Sequence, residues 1–289
     1  MFKTTVVIEN TVAMAFKPEV KRGLLGEHGM SLLIEGRGKR WLFDTGCGSV
    51  LLHNLDILGV AADSIDALII SHGHYDHAGA MMPLLEKRSK PLPIYAHPDI
   101  FARHFAKHGE MRHIGIAWSQ DELEASGAEF SLRRESAFLS PDTWLSGAIP
   151  RRYAFEAVSG KFFIETENGF EESQIQDDQS LVLAGERGLL VITGCAHAGI
   201  CNIIAKTKEQ FPGKRIWGIM GGLHLSGAGQ SRVEQTAAML KEENLEFLAV
   251  GHCTGAKESW QLANYLDLEL TGLNTGEVLK IKYKKHQEP

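Results

Sequence analysis

The chain has 289 residues, of which 44% are hydrophobic, so it can bury a sizeable core. Its formal net charge of −6 argues against a broad basic face and therefore against nucleic acid as a partner. No apolar run approaches the ~18 residues of a membrane span, so no membrane partner is expected. The four cysteines form no Cys-x-x-Cys pair and the first residues lack a signal-peptide pattern, which together favour a cytoplasmic protein with reduced thiols.

The first third of the chain is predicted to consist mainly of strands. Short apolar or β-branched runs between turn residues indicate strands at residues 4–8, 31–35, 40–43, 63–70 and 93–96. From 97 to about 175 the pattern weakens, and charged helical stretches are predicted at 101–107 and 120–126. We interpret 97–175 as an insertion that covers the functional site within a single domain spanning 1–289.

The remainder of the chain alternates between strands and helices. A hairpin is predicted first, followed by helix, strand, helix and strand, at residues 180–184 and 188–193, 200–211, 215–220, 231–244 and 245–250. Strands followed by this alternation fit an α/β fold of the αββα type, in which two mixed β-sheets are flanked by helices.

Residues 71–77 (SHGHYDH) place three imidazoles and a carboxylate directly after an apolar, strand-like run. His72 and His74 are two residues apart, so on an extended chain their rings point the same way and can chelate one ion. A turn through the small residues that follow could present Asp76 and His77 to a second ion. Imidazole and carboxylate donors suit borderline metals such as zinc. A solvated histidine cluster is the alternative, but the buried strand beside it argues against that interpretation.

This loop resembles the His-x-His-x-Asp-His motif of the metallo-β-lactamase superfamily. The resemblance extends to an early strand ending in Asp-x-Gly at 41–46 (WLFDTG), and matching phrases run from about residue 26 to residue 276. Three phrases resemble the branch labelled 7,8-dihydropterin-6-methyl-4-(β-D-ribofuranosyl)-aminobenzene-5′-phosphate synthase, namely 193–200 (TGCAHAGI), 221–225 (GGLHL) and 251–255 (GHCTG). The resemblance implies a centre of two divalent metal ions, with zinc expected first and manganese, iron or nickel as alternatives.

Three later histidines, His197, His224 and His252, are predicted to complete the metal site. Each follows a predicted strand and a nearby glycine, which lets the backbone approach a metal or substrate closely. His252 matches the final ligand of the superfamily. Taken singly, each could instead be a core histidine or a helix cap.

The chain departs from the superfamily pattern around the late hairpin. Residues 174–179 contain no histidine before the hairpin, and Cys195 stands where the bridging aspartate is usual. We therefore predict His197 as the third protein ligand of the first ion, with Cys195 near the ions as a ligand or a neighbour. Asp178 is the other candidate carboxylate, and a turn residue capping the hairpin is its alternative role.

Four further residues are candidates for supporting roles. We predict His28 as a proton carrier or substrate contact, although a loop histidine bonded to backbone is an equal alternative. Asp44 is predicted to orient a ligand histidine rather than to bind metal itself. Arg151 and Arg152 could bind a phosphate or carboxylate of the substrate, or could simply be solvated charges.

These features favour a metal-dependent hydrolase in which Asp76 and His28 serve catalysis. The expected reaction is attack of water on a phosphoryl or acyl centre of a small molecule, with phosphorylated compounds among the candidates. One alternative is a synthase that condenses a dihydropterin precursor with an aryl-ribose phosphate, as the branch label implies. Another is a non-catalytic metal-binding module. A diiron redox protein is disfavoured because Gly73 and Tyr75 occupy the positions where that function needs a glutamate. The sequence leaves the oligomeric state open.

Overall fold

The computed structural model describes residues 2–13, 20–48, 50–157 and 161–281. The strands are β1 Phe2–Ile8, β2 Ser31–Gly36, β3 Lys39–Phe43, β4 Ala67–Ile69, β5 Leu92–Ala96, β6 His104–His108, β7 Glu110–His113, β8 Ala128–Leu132, β9 Ala137–Ser140, β10 Thr143–Leu145, β11 Phe162–Thr166, β12 Gly169–Glu172, β13 Leu181–Gly185, β14 Gly188–Ile192, β15 Ile216–Gly221, β16 Phe247–Val250, β17 Leu270–Gly272 and β18 Val278–Ile281. The α-helices are α1 Leu51–Leu58, α2 Tyr75–Ala78, α3 Met81–Glu86, α4 Gln120–Ala125, α5 Ile200–Gln210, α6 Gln230–Glu242 and α7 Ala256–Leu266. Short 3₁₀ turns lie at Ala62–Ser64, Pro98–Phe101, Ala154–Glu156 and His252–Thr254.

Two mixed sheets form the centre of the fold. The first has the order β18-β1-β2-β3-β4-β5-β8, in which β3, β4, β5 and β8 run parallel and the remaining pairs are antiparallel. The second has the order β17-β16-β15-β14-β13-β10-β9, in which β14 to β17 run parallel. In each sheet the parallel strands therefore end at a common edge, where functional loops of α/β proteins usually lie.

Alternating side chains of the strands fill the spaces between layers. Along β2, Leu32 and Ile34 face the second sheet, whereas Leu33 between them packs toward the helices α1 and α3. The outer face of the second sheet is covered by α5, α6 and α7. These layers confirm the predicted αββα sandwich of two mixed sheets flanked by helices.

The segment predicted as an insertion at 97–175 is divided among three sheets. Strand β8 extends the first sheet and β9–β10 extend the second, so these parts belong to the sandwich itself. The strands β6, β7, β11 and β12 form a separate antiparallel sheet, in the order β12-β11-β6-β7, which we call the cover sheet. Phe162 of the cover sheet packs against histidines at the ends of the central strands. The single-domain boundary at 1–289 stays a prediction.

The helix predicted at 101–107 is wrong. A 3₁₀ turn ends at Phe101 and β6 follows at His104–His108. Pairing of β6 with both β7 and β11 supplies backbone hydrogen bonds that an isolated helix of seven residues could not retain in water. The helix predicted at 120–126 and the hairpin before 193 are confirmed as α4 and as β13–β14.

All four cysteines lie within the described residues. Cys47, Cys195, Cys201 and Cys253 are all free thiols. Within the described ranges, no helix combines the length and apolar character needed to cross a membrane.

Leu190 offers a test of the packing between the sheets. It lies fully buried on β14 among side chains of both sheets. Leu190→Ala is expected to lower the free energy of unfolding by about 2–5 kcal/mol, because it removes buried methyl groups and leaves a cavity. Leu25→Ala is the matched control, since Leu25 is 46% exposed, and it should change stability by less than about 0.5 kcal/mol. Equal effects of the two substitutions in chemical denaturation would contradict this packing.

Candidate metal centre

The predicted ligands converge from the carboxyl ends of parallel strands in both sheets. The loop after β4 carries residues 71–77, the loop after β14 carries Cys195 and His197, and the ends of β15 and β16 lead to His224 and His252. Because the central strands of each sheet are parallel, these loops lie on one edge of the sandwich. The chain thus brings together donors that are up to about 180 residues apart in sequence.

The first donor cluster consists of His72, His74 and His197, with one ring nitrogen of each lying within 4.8 Å of the others. His72 Nε2 lies 3.0 Å from His74 Nδ1, and the His197 ring centroid lies 4.7 Å from that of His72. The expected juxtaposition of His197 with this loop is therefore observed. Burial lowers the pKa of all three imidazoles well below the ordinary histidine value, so neutral rings with a free lone pair are favoured.

The second donor cluster consists of Asp76, His252 and His28. The Asp76 carboxylate oxygen Oδ2 lies 3.3 Å from His252 Nε2, 3.3 Å from His28 Nε2 and 3.7 Å from His77 Nε2. His77 Nε2 in turn lies 3.1 Å from His252 Nε2. Asp76, His77 and His252 are buried, whereas the His28 side chain is exposed at the rim. Asp76 and His77 lie on the short helix α2, and the small residues predicted to form a turn lie at its end, between α2 and α3.

Cys195 lies between the two clusters. Its Sγ is 3.1 Å from His77 Nε2, and it shares donor sets with His72 and His77, with His197 and His224, and with His252 and Cys253. It therefore occupies a position from which its sulfur could contact a metal ion held by either cluster. Cys253 was missed by the sequence prediction, although it directly follows His252 in the phrase at 251–255.

Asp44 fixes the orientation of two predicted ligands. One oxygen, Oδ2, accepts hydrogen bonds from His77 Nδ1 at 2.7 Å and Ser71 Oγ at 2.7 Å, while Oδ1 accepts from Ser71 N at 2.7 Å. The same Ser71 hydroxyl lies 2.9 Å from His72 Nδ1. Such contacts set which ring nitrogen of each histidine is free to bind metal. The orienting role of Asp44 stays a prediction, which these contacts support.

Two buried carboxylates hold the loop of His197 from behind. Asp178 Oδ2 accepts a hydrogen bond from Ala198 N at 2.8 Å, and burial raises the pKa of Asp178 to about 6. Glu156 accepts from the first backbone amides of α5, at Cys201 and Asn202. Asp178 lies outside the donor clusters of the described residues, so its place is behind the loop.

Glu9 is a second supporting residue that sequence reasoning missed. It is buried after β1, accepts a hydrogen bond from Thr11 N at 2.8 Å and contacts the backbone amide of His252. His252 has a left-handed backbone with φ of 50°, and Asn10 Oδ1 lies 3.1 Å from its Nδ1. Nothing in the local sequence marks Glu9, since its partner is more than 240 residues away.

The two arginines predicted to bind substrate both have protein partners. Arg151 donates to the backbone carbonyls of Ile149, Gln174 and Ile175 at 2.6–2.9 Å. Arg152 forms an ion pair with Glu209. Their role in substrate binding stays a prediction.

The buried nitrogens of the site fit divalent metal ions. Within the described ranges, neither ring nitrogen of His197 has a hydrogen-bond partner, and His224 Nδ1 also lacks one. Buried imidazole nitrogens are normally satisfied, so these atoms point to a ligand outside the protein. Nitrogen, sulfur and carboxylate donors together suit zinc and its neighbours in the first transition series.

Asp44 provides a test of how these ligands are held. Asp44→Ala removes the acceptor for both His77 and Ser71 and is expected to weaken metal affinity by about 10–100-fold. Affinity can be measured by competition with a chromophoric chelator, with circular dichroism as a check on folding. Asp63→Ala is the control, because Asp63 is a carboxylate outside the site whose oxygens accept hydrogen bonds from the backbone amide and hydroxyl of Ser89. Unchanged affinity in Asp44→Ala would contradict its orienting role.

Comparison with known proteins places the chain in a family. The family model "Metallo-beta-lactamase superfamily" matches residues 25–201, which is more than half of the chain. A protein of Methanocaldococcus jannaschii named 7,8-dihydropterin-6-methyl-4-(beta-D-ribofuranosyl)-aminobenzene-5'-phosphate synthase is 30% identical over 264 residues, covering 88% of this chain and 90% of that protein.

Solved structures agree with this match. The crystal structure of a metal-dependent hydrolase of the beta-lactamase superfamily superposes with a TM-score of 0.83 at 26% identity, covering 98% of this chain and 100% of that chain. The metallo-beta-lactamase fold protein YhfI of Bacillus subtilis superposes with a TM-score of 0.57 at 16% identity over 97% and 100% of the chains, which supports the fold alone. The chain therefore belongs to the metallo-beta-lactamase superfamily and is an enzyme with that fold.

Proposed function

We propose that this enzyme is a metal-dependent hydrolase, which uses a dinuclear centre to attack a phosphoryl or acyl centre of a small molecule with water. The observation that carries the proposal is the pair of donor clusters that share the 71–77 loop and are completed by donors from other loops. His72 and His74 face His197 on one side, whereas Asp76 faces His252 on the other. The similarity to a structure described as a metal-dependent hydrolase supports the same reaction class.

Two ions are favoured over one because more donors converge than the four that one zinc ion usually binds, and they fall into overlapping sets. His72, His74 and His197 would hold the first ion, and Asp76, His77 and His252 would hold the second. Cys195 lies where it could contact both, and His224 lies beside Cys195 and His197. Zinc is the first expectation for this donor set, with manganese, iron or nickel as alternatives. When bound, two such ions lower the pKa of water and polarise the electrophile.

The protein itself contributes position, proton transfer and exclusion of water. Asp44 fixes the rings of His77 and, through Ser71, His72. His28 lies at the exposed rim with its Nε2 3.3 Å from Asp76 Oδ2, where it could carry a proton between the site and solvent. Phe162 packs against His74, His197 and His224 and keeps that side of the site apolar.

A synthase is the second candidate, and the 30% identity to the named synthase over most of both chains favours it. The same residues could then stabilise an anionic leaving group during condensation of a dihydropterin precursor with an aryl-ribose phosphate. Assays of the purified holoenzyme with phosphodiester, phosphonate and lactone substrates, beside the condensation reaction, discriminate the two candidates. Turnover of the condensation pair alone would reject the hydrolase.

Metal content tests the dinuclear centre directly. Protein purified without chelator from metal-replete medium is expected to contain close to two ions per chain by elemental analysis. A reproducible value near one would reject the second site, and a value near zero would reject the centre as a whole.

Substitutions at Asp76 and His197 test the two proposed ion sites separately. Asp76→Ala is expected to abolish turnover and to lose one ion while the fold is kept, because Asp76 lies on the short helix α2 beside histidine rings and not in an apolar core. His197→Ala should lose the other ion, leaving Asp76, His77 and His252 in place. Elemental analysis and circular dichroism of both variants provide the check. Wild-type activity and full metal content in Asp76→Ala would show that it binds no ion.

A further inference from the structure

One face of the cover sheet is directed at the metal centre. In the strand register Phe162 lies opposite Ala106, and Ala106 lies opposite Arg112, so the three side chains share a face. The Phe162 ring centroid lies 5.2 Å from that of His197 and 5.6 Å from that of His74, which places this face over the histidines. Arg112 lies two strands from Phe162 on the same face, about 10 Å away at ordinary strand spacing.

The Arg112 side chain packs against Tyr75 in the segment that carries the predicted metal ligands His72, His74 and Asp76. Its guanidinium carbon lies 5.4 Å from the Tyr75 ring centroid, and its Nη2 lies 3.4 Å from the Tyr75 hydroxyl oxygen. Tyr75 immediately precedes Asp76, and its backbone amide donates to the carbonyl of Ile114 at 2.8 Å. The Tyr75 ring centroid is 6.4 Å from that of His28. The guanidinium therefore stands at the exposed rim beside the second donor cluster.

The positive charge of Arg112 has no carboxylate partner among the residues that the structure describes. Other arginines nearby are paired, for example Arg103 with Glu165 at 2.8 Å and Arg134 with Asp99. A guanidinium has five N–H donors, and the single contact with the Tyr75 hydroxyl leaves most of them free. Stacking on Tyr75 limits the rotamers of the Arg112 side chain. The N–H donors at the edge of its guanidinium stay accessible, as binding of an oxyanion requires.

We propose that Arg112, together with the Tyr75 hydroxyl, binds a phosphate group of the substrate at the rim of the metal centre. The inference rests on the proposed function, since it deepens the same site by naming the substrate class. A planar guanidinium binds phosphate oxygens with two parallel hydrogen bonds. Binding a non-reacting phosphate there would orient the remainder of the substrate toward the metal ligands and supply binding energy from outside the reacting centre.

The test is calorimetric titration of the holoenzyme with phenyl phosphate, which gives the dissociation constant. A parallel titration uses benzoate, which carries a carboxylate in place of the phosphate. Arg112→Ala is expected to weaken phenyl phosphate binding about tenfold or more, the range for lost hydrogen bonds between charged groups. Arg112→Lys should recover part of the affinity, because a charge remains without the fork. Tyr75→Phe should cost about two- to tenfold, since only one neutral donor is lost.

Arg103→Ala is the matched control. Arg103 lies beside the same cover sheet and stacks over Phe105, but it is already paired with Glu165. Its removal should leave phenyl phosphate affinity within about twofold of wild type. Wild-type affinity in Arg112→Ala, or an equal loss in Arg103→Ala, would overturn the proposal. An equal loss for benzoate in Arg112→Ala would overturn the assignment to phosphate in favour of a carboxylate.

The result is separable from that of the function test. If Arg112→Ala loses phenyl phosphate while the wild type hydrolyses no substrate in the panel, the hydrolase proposal fails and the phosphate site stands. If hydrolysis is present and Arg112→Ala binds phenyl phosphate as tightly as wild type, the hydrolase stands and the phosphate site fails.

Discussion

Buried imidazole nitrogens without protein partners are the constraint on which the rest of the site depends. Among the described residues, both ring nitrogens of His197, Nε2 of His74 and Nδ1 of His224 lack a hydrogen bond. An unsatisfied buried polar atom costs about 1–3 kcal/mol, against a total stability of about 5–15 kcal/mol for a typical domain. Several such atoms in one cluster are tolerable if a metal ion satisfies them, and binding energy then becomes folding energy. Metal binding at this site would therefore raise the free energy of unfolding.

The sandwich can assemble this cluster because glycines let the loops of its two sheets meet. A Cβ atom at Gly194 would lie 2.1 Å from Ser71 Oγ, so only glycine permits the loop after β14 to approach the loop after β4. A Cβ at Gly222 would lie 2.6 Å from Cys253 Sγ and would separate the loops after β15 and β16 in the same way. Asp44 then joins the first sheet to the ligands through Ser71 and His77. The geometry of the donor clusters therefore depends both on the close approach of the loops and on the orientation of the histidine rings.

The parts of the molecule that could be predicted are those encoded locally. Short apolar runs between turn residues indicated β2 and β3, the 71–77 loop carried its donors within seven residues, and His252 followed a recognisable strand. The parts that could not be predicted depend on partners distant in sequence. Glu9 acts on His252 across 243 positions, and β6 is a strand only because β7 and β11 pair with it. The sequence could not show the partners of Arg151 and Arg152. Arg151 donates to backbone carbonyls such as that of Gln174, and Arg152 pairs with Glu209, only in the folded chain.

The loops at the sheet ends and the cover sheet carry different kinds of side chain. The loops at the sheet ends supply nitrogen, sulfur and carboxylate donors, most of them buried, and Asp44 orients His77 and, through Ser71, His72. The cover sheet presents Phe162 over the histidines and Arg112 at the rim, and neither side chain is needed to complete a donor cluster. If the proposed phosphate site is correct, exchange of residues on this face would change which substrate binds without removing a donor from the two clusters. Because Tyr75 and Ile114 join the cover sheet to the ligand loop by a backbone hydrogen bond, a substrate bound on that face would be positioned relative to Asp76 by a short, rigid path.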